Sequence, residues 1–373
     1  MANVSSPFST YSDTTPQKRV ITDYITLIDP SDSPLIEMLG GLDGAAGKFR
    51  FINKGTKVEW LEDTLTPLVG AASDITDSSA SDATTIVVDD PSMFQEGHII
   101  MIDAEQMWVS AVATATSTLT VTRNWGGTQS EHTTSTITII GMARLEGDDS
   151  DDLGYTDKTA GYNYSQIFHN EVKVSETARV IDNYGYSDEF NYQAKKAIPS
   201  LMRLIERSLF YGQRAAGSAS TARAFGGLDT FITDNLVDWG ATLEQSNFES
   251  AVMSAYLDGG TGPWIAPLYP TNLQTVKNFY DSSAFLRVDP SVSQVGVVID
   301  EIVTPFGNVK LFNDRWAIST KIPIIDPNHA GLLTLRPFTQ EPLAKTGDSM
   351  KGQVVGEFTF CVRQDKAHAM MTT

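Results

Sequence analysis

Hydrophobic and polar positions change their period several times along the 373 residues. Residues 1–20 are rich in Ser, Thr and Asp and carry Pro7 and Pro16; they are too polar to pack alone and read as an extended arm. Ile21, Tyr24, Ile25 and Ile28 then share one helical face. Asp29-Pro30 and Ser33-Pro34 break that run, because the residue before a proline avoids the α region. From Lys48 to Leu61 the pattern becomes strand-like, with Phe49, Phe51, Val58 and Trp60 alternating with polar residues. Between Ala83 and Met142 five short strands follow: TTIVVDD, HIIMID, EQMWVSAVA, STLTVTRN and TITIIGM, with polar links between them. Such spacing predicts a small sandwich or barrel. Alternation resumes from Tyr162 to Val174. Residues 48–70 and 160–174 therefore read as two arms of one long hairpin, with the small all-β module inserted near its tip.

The strongest helical pattern lies over residues 187–211. Phe190, Ala194, Ile198, Leu201, Ile205 and Leu209 recur every three or four residues and make one apolar stripe. Ser187 is placed to cap, Asp188 and Glu189 fall in the first turn, Arg203 and Arg207 lie toward the end, and Gly212 can stop the helix. Pro199 removes one internal hydrogen bond and predicts a kink. Residues 212–240 are Gly- and Ala-rich and read as irregular. Ser246 with Glu249, ahead of Phe248, Val252 and Tyr256, and Thr271 with Gln274, ahead of Leu273, Val276 and Tyr280, predict two further capped helices. VVIDEIVTPFGNVKLFND predicts a hairpin turning at Thr304–Gly307. GEFTFCVRQ predicts a closing strand with Phe358, Phe360 and Val362 on one face. The fold class is α+β.

Composition narrows the function classes. Hydrophobic residues make up 41% of the chain, enough for a sizeable core. No apolar run approaches the ~18 residues of a membrane span, so no membrane association is expected, and the first residues lack the pattern of a signal peptide. The formal net charge of −19 opposes general binding of phosphate backbones. The charge is uneven: residues 58–122 hold no Lys or Arg but eleven Asp and Glu. A second acidic run is Glu146, Asp148, Asp149, Asp151 and Asp152. This asymmetry suits complementary surfaces on copies of one protein, or a solvated face.

Motifs with reactive chemistry are missing. Gly47-Lys48 is followed by Phe49 and lacks the preceding glycine of a phosphate loop. Gly185-Tyr186-Ser187 continues into Asp188, so there is no nucleophile elbow. The five histidines are scattered and Cys361 is the single cysteine, which leaves no cysteine-based zinc site and no internal disulfide. Cys361 reads as a packed or interface thiol. The Asp148–Asp152 cluster lacks the ordered calcium loop and reads as a solvated turn, with weak cation binding as the alternative. Trp125-Gly126-Gly127 reads as an aromatic covering a small core, with a ligand platform as the alternative. His169 reads as structural. No catalytic residue, metal site or cofactor is expected.

Four stretches carry a family resemblance: DPSDSPLIEMLGG, VSETARVIDNYGYSDEFNYQAKKAIPSLMRLIERSLFYG, TPFGNVKLFNDRW and LAKTGDSMKGQVVGEFTFCVRQDKAHAMM. In order and pattern, over most of 21–60 and 165–373, they resemble the HK97-like major capsid proteins of tailed bacteriophages, and most nearly the major head proteins typified by phage SU10. The inserted β-module resembles one found inside several phage structural proteins.

The resemblance implies an HK97-like fold with a long spine helix, an extended E-loop hairpin and a small all-β insertion. It implies an N-terminal arm at 1–46, an E-loop at 47–165 carrying the module at about 83–142, a peripheral domain at 166–220 with the spine helix 187–211, an axial domain at 221–340, and a C-terminal return strand at 341–373. It implies a virion protein, made in the cytoplasm of the bacterial host, that self-assembles as hexamers and pentamers around double-stranded DNA without sequence-specific binding. Scaffolding, portal and decoration proteins are the partners so implied. Candidate contacts between copies are Phe49, Phe51, Trp60, Trp125, Lys195 and Lys196; the two lysines lie off the apolar stripe, where they could meet the acidic E-loop of a neighbour. The other readings are a phage tail or decoration protein, and a carboxylate-based hydrolase.

Overall fold

A computed structural model describes residues 32–45, 48, 54–71, 84–127, 129, 132, 136–147, 156–182, 188–283 and 301–373. The chain divides into two compact units, residues 61–160 and residues 1–60 with 161–373. The helical run at 21–28, Phe49, Phe51 and the Asp148–Asp152 cluster lie outside the described residues.

The first described helix is α1 (Pro34–Met38), entered through Ser33. Ser33-Pro34 was expected only to end a helix; instead Pro34 opens one, since its missing N–H is one that a first turn leaves unpaired. Leu35, Ile36 and Leu39 are buried below it. In β1 (Lys57–Glu62) the alternation holds, with Val58 and Trp60 inward.

Residues 61–160 contain β2 (Val69–Ala71), β3 (Thr85–Val87), β4 (His98–Ile102), β5 (Glu105–Ala113), β6 (Thr118–Gly126) and β7 (Thr136–Met142). All five strands expected from the alternation are present, and the short β2 adds a sixth. They form one antiparallel sheet ordered β2-β7-β4-β5-β6-β3. Its core is made by every second residue, among them Ile100, Ile102, Met107, Val109, Leu119 and Val121.

The chain returns through β8 (Thr159–Tyr164), which pairs with β1, and continues as β9 (Gln166–Ser175) and the one-turn α2 (Glu176–Val180). The long helix α3 (Glu189–Tyr211) follows. Its cap is Asp188 rather than Ser187: the Asp188 carboxylate accepts the Phe190 N–H at 3.0 Å. Ala197, not Ile198, completes the buried stripe, and Ile198 stays 42% exposed. The helix runs through Pro199 and stops at Gly212, where a Cβ would come within 2.5 Å of the Ser208 carbonyl.

Beyond it lie α4 (Leu228–Phe231), β10 (Leu236–Asp238), α5 (Gln245–Leu257), β11 (Trp264–Leu268), α6 (Pro270–Ser283), β12 (Glu301–Thr304), β13 (Gly307–Asn313), β14 (Lys321–Ile324), β15 (Ala330–Leu343), β16 (Ser349–Val362) and β17 (Ala369–Thr372). Both predicted helices here start slightly early. For α5 the box is Glu244 with Asn247, whose side-chain oxygen takes the Glu244 N–H at 3.1 Å, and α6 opens on Pro270. The hairpin at Thr304–Gly307 forms as expected. The expected closing strand, within β16, is central in the sheet β15-β16-β9 and is not the last. The last strand is β17, whose apolar Ala369, Met370 and Met371 slot between β10 and β14.

Two cores result. One gathers Leu35, Leu39, Leu201, Ile205, Phe225, Phe358 and Phe360 around α3 and β16. The other gathers Phe248, Val252, Trp264, Leu311, Ile322 and Met371 around α5, β11 and β13.

Candidate interaction surface

The surface features that stand out lie where α3 passes β9. In the order β15-β16-β9, β9 is an edge strand, so one row of its backbone groups faces away from the sheet. Phe168, Val172 and Val174 point into the sheet core, while Ile167, His169, Glu171 and Lys173 point outward. Helix α3 lies along the same strand because its stripe packs on the inward residues. Two open cavities follow its course. One, of about 570 Å³, is lined by Ile167, His169, Leu204, Arg207 and Tyr211; the other, of about 520 Å³, by Lys173, Ser175, Glu189, Gln193 and Lys196. Leu204 and Tyr211 are each 48% exposed and Ile167 is 50% exposed. The surface is thus apolar at one end and mixed-charge at the other, where Lys173 and Lys196 stand beside Glu171 and Glu189.

Lys195 and Lys196 are both exposed on α3, and Lys196 lines the second cavity. Trp60 lies elsewhere and is 6% exposed within its own chain: it packs with Ala45, Val58, Leu333 and Cys361, its ring 5.9 Å from Phe231. Little of its surface is left for another molecule, so its expected burial against a neighbour is replaced by burial at home. Trp125, in residues 61–160, is half exposed and stacks on Trp108 with ring centroids 5.9 Å apart. His169 is exposed on β9. Phe49 and Phe51 lie outside the described residues.

Buried charges that sequence reasoning missed hold these elements in place. Glu357 on β16 accepts from Ser165 at 2.6 Å and pairs with Arg223 at 2.9 Å and Arg336 at 3.1 Å. In the β-module, Glu105 takes two bonds from Arg123, at 2.6 and 3.0 Å, and one from His132, whose other nitrogen meets Asp103. Glu206 on α3 is buried, and desolvation together with the Asp314 carboxylate beside it pushes its own carboxyl far up. The signal for Glu206 was present, an acid inside the apolar run LIERSLF; nothing marked Glu357 or Asp314.

Burial raises the Cys361 thiol beyond its ordinary value. His368 is buried, accepts the Asp326 N–H at 3.0 Å and faces the Arg363 carbonyl at 3.2 Å; burial lowers its pKa to about 4 and keeps it neutral. Among the described residues no three His, Cys, Asp or Glu side chains are placed to hold a metal ion, and no helix is long and apolar enough to cross a membrane.

Comparison with known proteins bears on what this surface is for. A family model described as SU10 major capsid protein matches residues 8–373. No curated protein matches the chain. Among solved structures, the chain is similar to the cyanophage A-1(L) capsid subunit at 10% identity, covering 98% of this chain and 99% of that one with a TM-score of 0.57. The Microbacterium phage Oxtober96 structure aligns over 98% of this chain and 99% of its own at 10% identity and a TM-score of 0.48. The capsid of the myovirus XM1 aligns over 95% and 96% at 12% identity and 0.46.

Proposed function

The chain belongs to the SU10 major capsid protein family, has the HK97-like α+β capsid fold, and is a virion structural protein that forms an icosahedral shell; from that premise we propose how its copies grip one another. The surface along α3 and β9 receives an acidic extended segment of a neighbouring copy, drawn from residues 58–122. The observation that carries this is the β9 edge, which pairs with no further strand among the described residues, beside exposed Lys173, Lys195, Lys196 and Arg207, on a subunit whose net charge is −19. An extended segment laid along an edge strand gains main-chain hydrogen bonds that the free subunit leaves to water. Ile167, Leu204 and Tyr211 supply apolar contact at about 25 cal/mol per Å² buried.

Each charge pair at such a surface is worth ~0–1 kcal/mol, so the lysines set register more than strength. Strength comes from number, since a subunit in a shell makes many contacts at once. On this reading residues 1–46 are an arm, 47–165 an E-loop bearing the β-module, 166–220 with 341–373 a peripheral domain and 221–340 an axial domain. The copies group as hexamers and pentamers around packaged double-stranded DNA, without sequence-specific binding, and the protein performs no catalysis. An acidic wall would leave the packaged DNA free to enter and leave. A scaffolding protein acts during assembly, and portal and decoration proteins complete the virion after synthesis in the host cytoplasm.

The test is the double variant Lys195→Glu with Lys196→Glu, compared with the unaltered chain by particle yield in negative-stain microscopy and by size-exclusion chromatography. Soluble subunits with few or no particles are expected. Normal particle yield would overturn the reading.

A further inference from the structure

Two acids that the assembly reading does not use meet where three parts of the chain converge. Glu206 comes from α3. Asp314 directly follows β13. The first turn of α1, the first described helix, which follows residues 1–33 in the chain, bonds to the Glu206 side of the pair. Both carboxyl groups are fully buried.

The Glu206 carboxyl accepts the Leu35 N–H at 2.7 Å and the Ile36 N–H at 3.1 Å, which pins the first turn of α1 to α3. Asp314 Oδ1 accepts the Trp316 N–H at 2.8 Å. Among the described residues, Asp314 Oδ2 is buried and meets no N–H or hydroxyl donor. The group beside it is the Glu206 carboxyl. Two carboxylates cannot bond to each other, whereas a carboxylic acid donates to a carboxylate strongly. A buried acceptor without a donor is costly, so the arrangement is satisfied only when one proton lies between the two acids. Desolvation and mutual repulsion favour the same state.

Among the described residues, the charges around the pair do not neutralise a second negative charge. Asp32, ahead of α1, adds a carboxylate, and Arg315 beside Asp314 is paired to Asp32 at 2.9 Å. Arg203 on α3 lies over the Trp316 ring at 5.7 Å, and Arg207 over Tyr211 at 5.8 Å. Glu37 on α1 is exposed.

We propose that Glu206 and Asp314 share a single proton and act as a pH-operated latch, which ties α1 to α3 and to the end of β13 and opens when the proton leaves. Loss of the proton puts two negative charges in a dry site, and the movable partner is α1, held there by five residues of helix. Alkaline conditions therefore release the root of the N-terminal segment while the two cores stay folded.

The test uses the full chain. Hydrogen–deuterium exchange is followed at the amides of residues 33–42 between about pH 6 and 10, corrected for intrinsic base catalysis. In parallel, infrared difference spectra of the wild type minus Glu206→Gln read the protonated-carboxyl C=O band. The band is expected at pH 7 and should vanish in alkali. Above that transition the opening of residues 33–42 should rise about tenfold per pH unit, as one-proton linkage requires. Glu206→Gln donates its NH2 to Asp314 but keeps one acceptor oxygen for the Leu35 and Ile36 N–H groups in place of two, so residues 33–42 should open somewhat more than in the wild type at neutral pH and show no further rise in alkali. Asp314→Asn gives a second arm if the first variant does not fold. It removes the repulsion and supplies a donor, so the Glu206 band should vanish at lower pH while residues 33–42 stay protected in alkali. Absence of the band at pH 7, exchange that shows no alkaline opening, or release of α1 in Asp314→Asn at the wild-type pH would each overturn the proposal.

Discussion

Lowering the pH from 7 to 4 should cost the free subunit about 3 kcal/mol through His368 alone. The imidazole is enclosed between β14 and β17, where Nδ1 accepts the Asp326 N–H at 3.0 Å and Nε2–H donates to the Arg363 carbonyl at 3.2 Å. That pattern uses one lone pair and one proton, which is the neutral ring. Burial, and in smaller measure the charge of His329, lowers the pKa from 6.5 to about 4. The folded value lies below the unfolded one, so the stabilisation is fully present above pH 6.5 and is lost as the pH falls toward 4. At ~1.4 kcal/mol per unit, the 6.5-to-4 difference is worth about 3 kcal/mol. Glu206 acts with the opposite sign: its raised pKa means that the folded state gains on acidification. The net pH dependence of the wild type therefore understates His368, and a variant is needed. His368→Asn keeps an acceptor for Asp326 and cannot be charged. Urea unfolding of unassembled subunits at pH 7 and pH 4 would follow Trp264, which lies in the same core and donates to the Ala367 carbonyl at 3.1 Å. The variant should be weaker at pH 7 and should lose about 3 kcal/mol less than the wild type between the two pH values. An equal acid loss in both proteins would refute the reasoning.

Glu357→Ala should destabilise the subunit by about 1–3 kcal/mol, because the buried Ser165 hydroxyl loses its acceptor while the partly exposed Arg223 and Arg336 are left to water; urea midpoints against Lys195→Ala, expected within ~0.5 kcal/mol of wild type, would check this. Cys361, buried beside Trp60 with its thiol pushed up, should resist alkylation at pH 8 in the folded chain and react once urea is added; rapid native labelling, read by mass spectrometry, would contradict it. Deleting residues 83–142 removes five of the six strands of the module with the core they share; soluble subunits that retain the thermal transition of the remaining chain, with weaker shells, are expected, and loss of all soluble protein would count against an independent module.

The elements that were legible in the sequence are those whose own residues supply the reason for them. The module's strands alternate with a period of two over five to nine residues, and nothing outside them is needed to place the inward face. The same holds for α3, whose stripe and cap are local. Strands β11 and β17 were missed because their partners are distant: β11 pairs in parallel with β13, and β17 fills a gap between β10 and β14. WIAPL and AMMT have no alternation to read, being buried on both faces. Cap positions slipped by a residue or two because several polar residues precede each helix, and the choice among Asp188, Glu244 and their neighbours is made by geometry. The resemblance supplied the fold and the shell. The site stayed harder to read, since Trp60 looks the same in sequence whether it is buried at home or against a neighbour.

A subunit charged to −19 must still lie against copies of itself. Uniformly spread, that charge would oppose association at every contact. It is not uniformly spread: residues 58–122 carry eleven acids and no base, whereas α3 carries Lys195, Lys196, Arg203 and Arg207 against Glu189 and Glu206. Segregation turns a repulsive average into an attractive local pairing, provided that contacts are short compared with the Debye length of about 8 Å at physiological salt. Salt then acts on two terms of opposite sign. If copies pair along α3 as proposed, salt screens the long-range repulsion between whole subunits more than those close pairs, so moderate salt should favour association and only high salt should weaken the register. The apolar contribution proposed for Ile167, Leu204 and Tyr211 would be untouched by screening and strengthened by sulfate and phosphate. The proposed surface would let subunits stay apart when free and hold together once many weak contacts close at once, which is the behaviour a self-assembling shell requires.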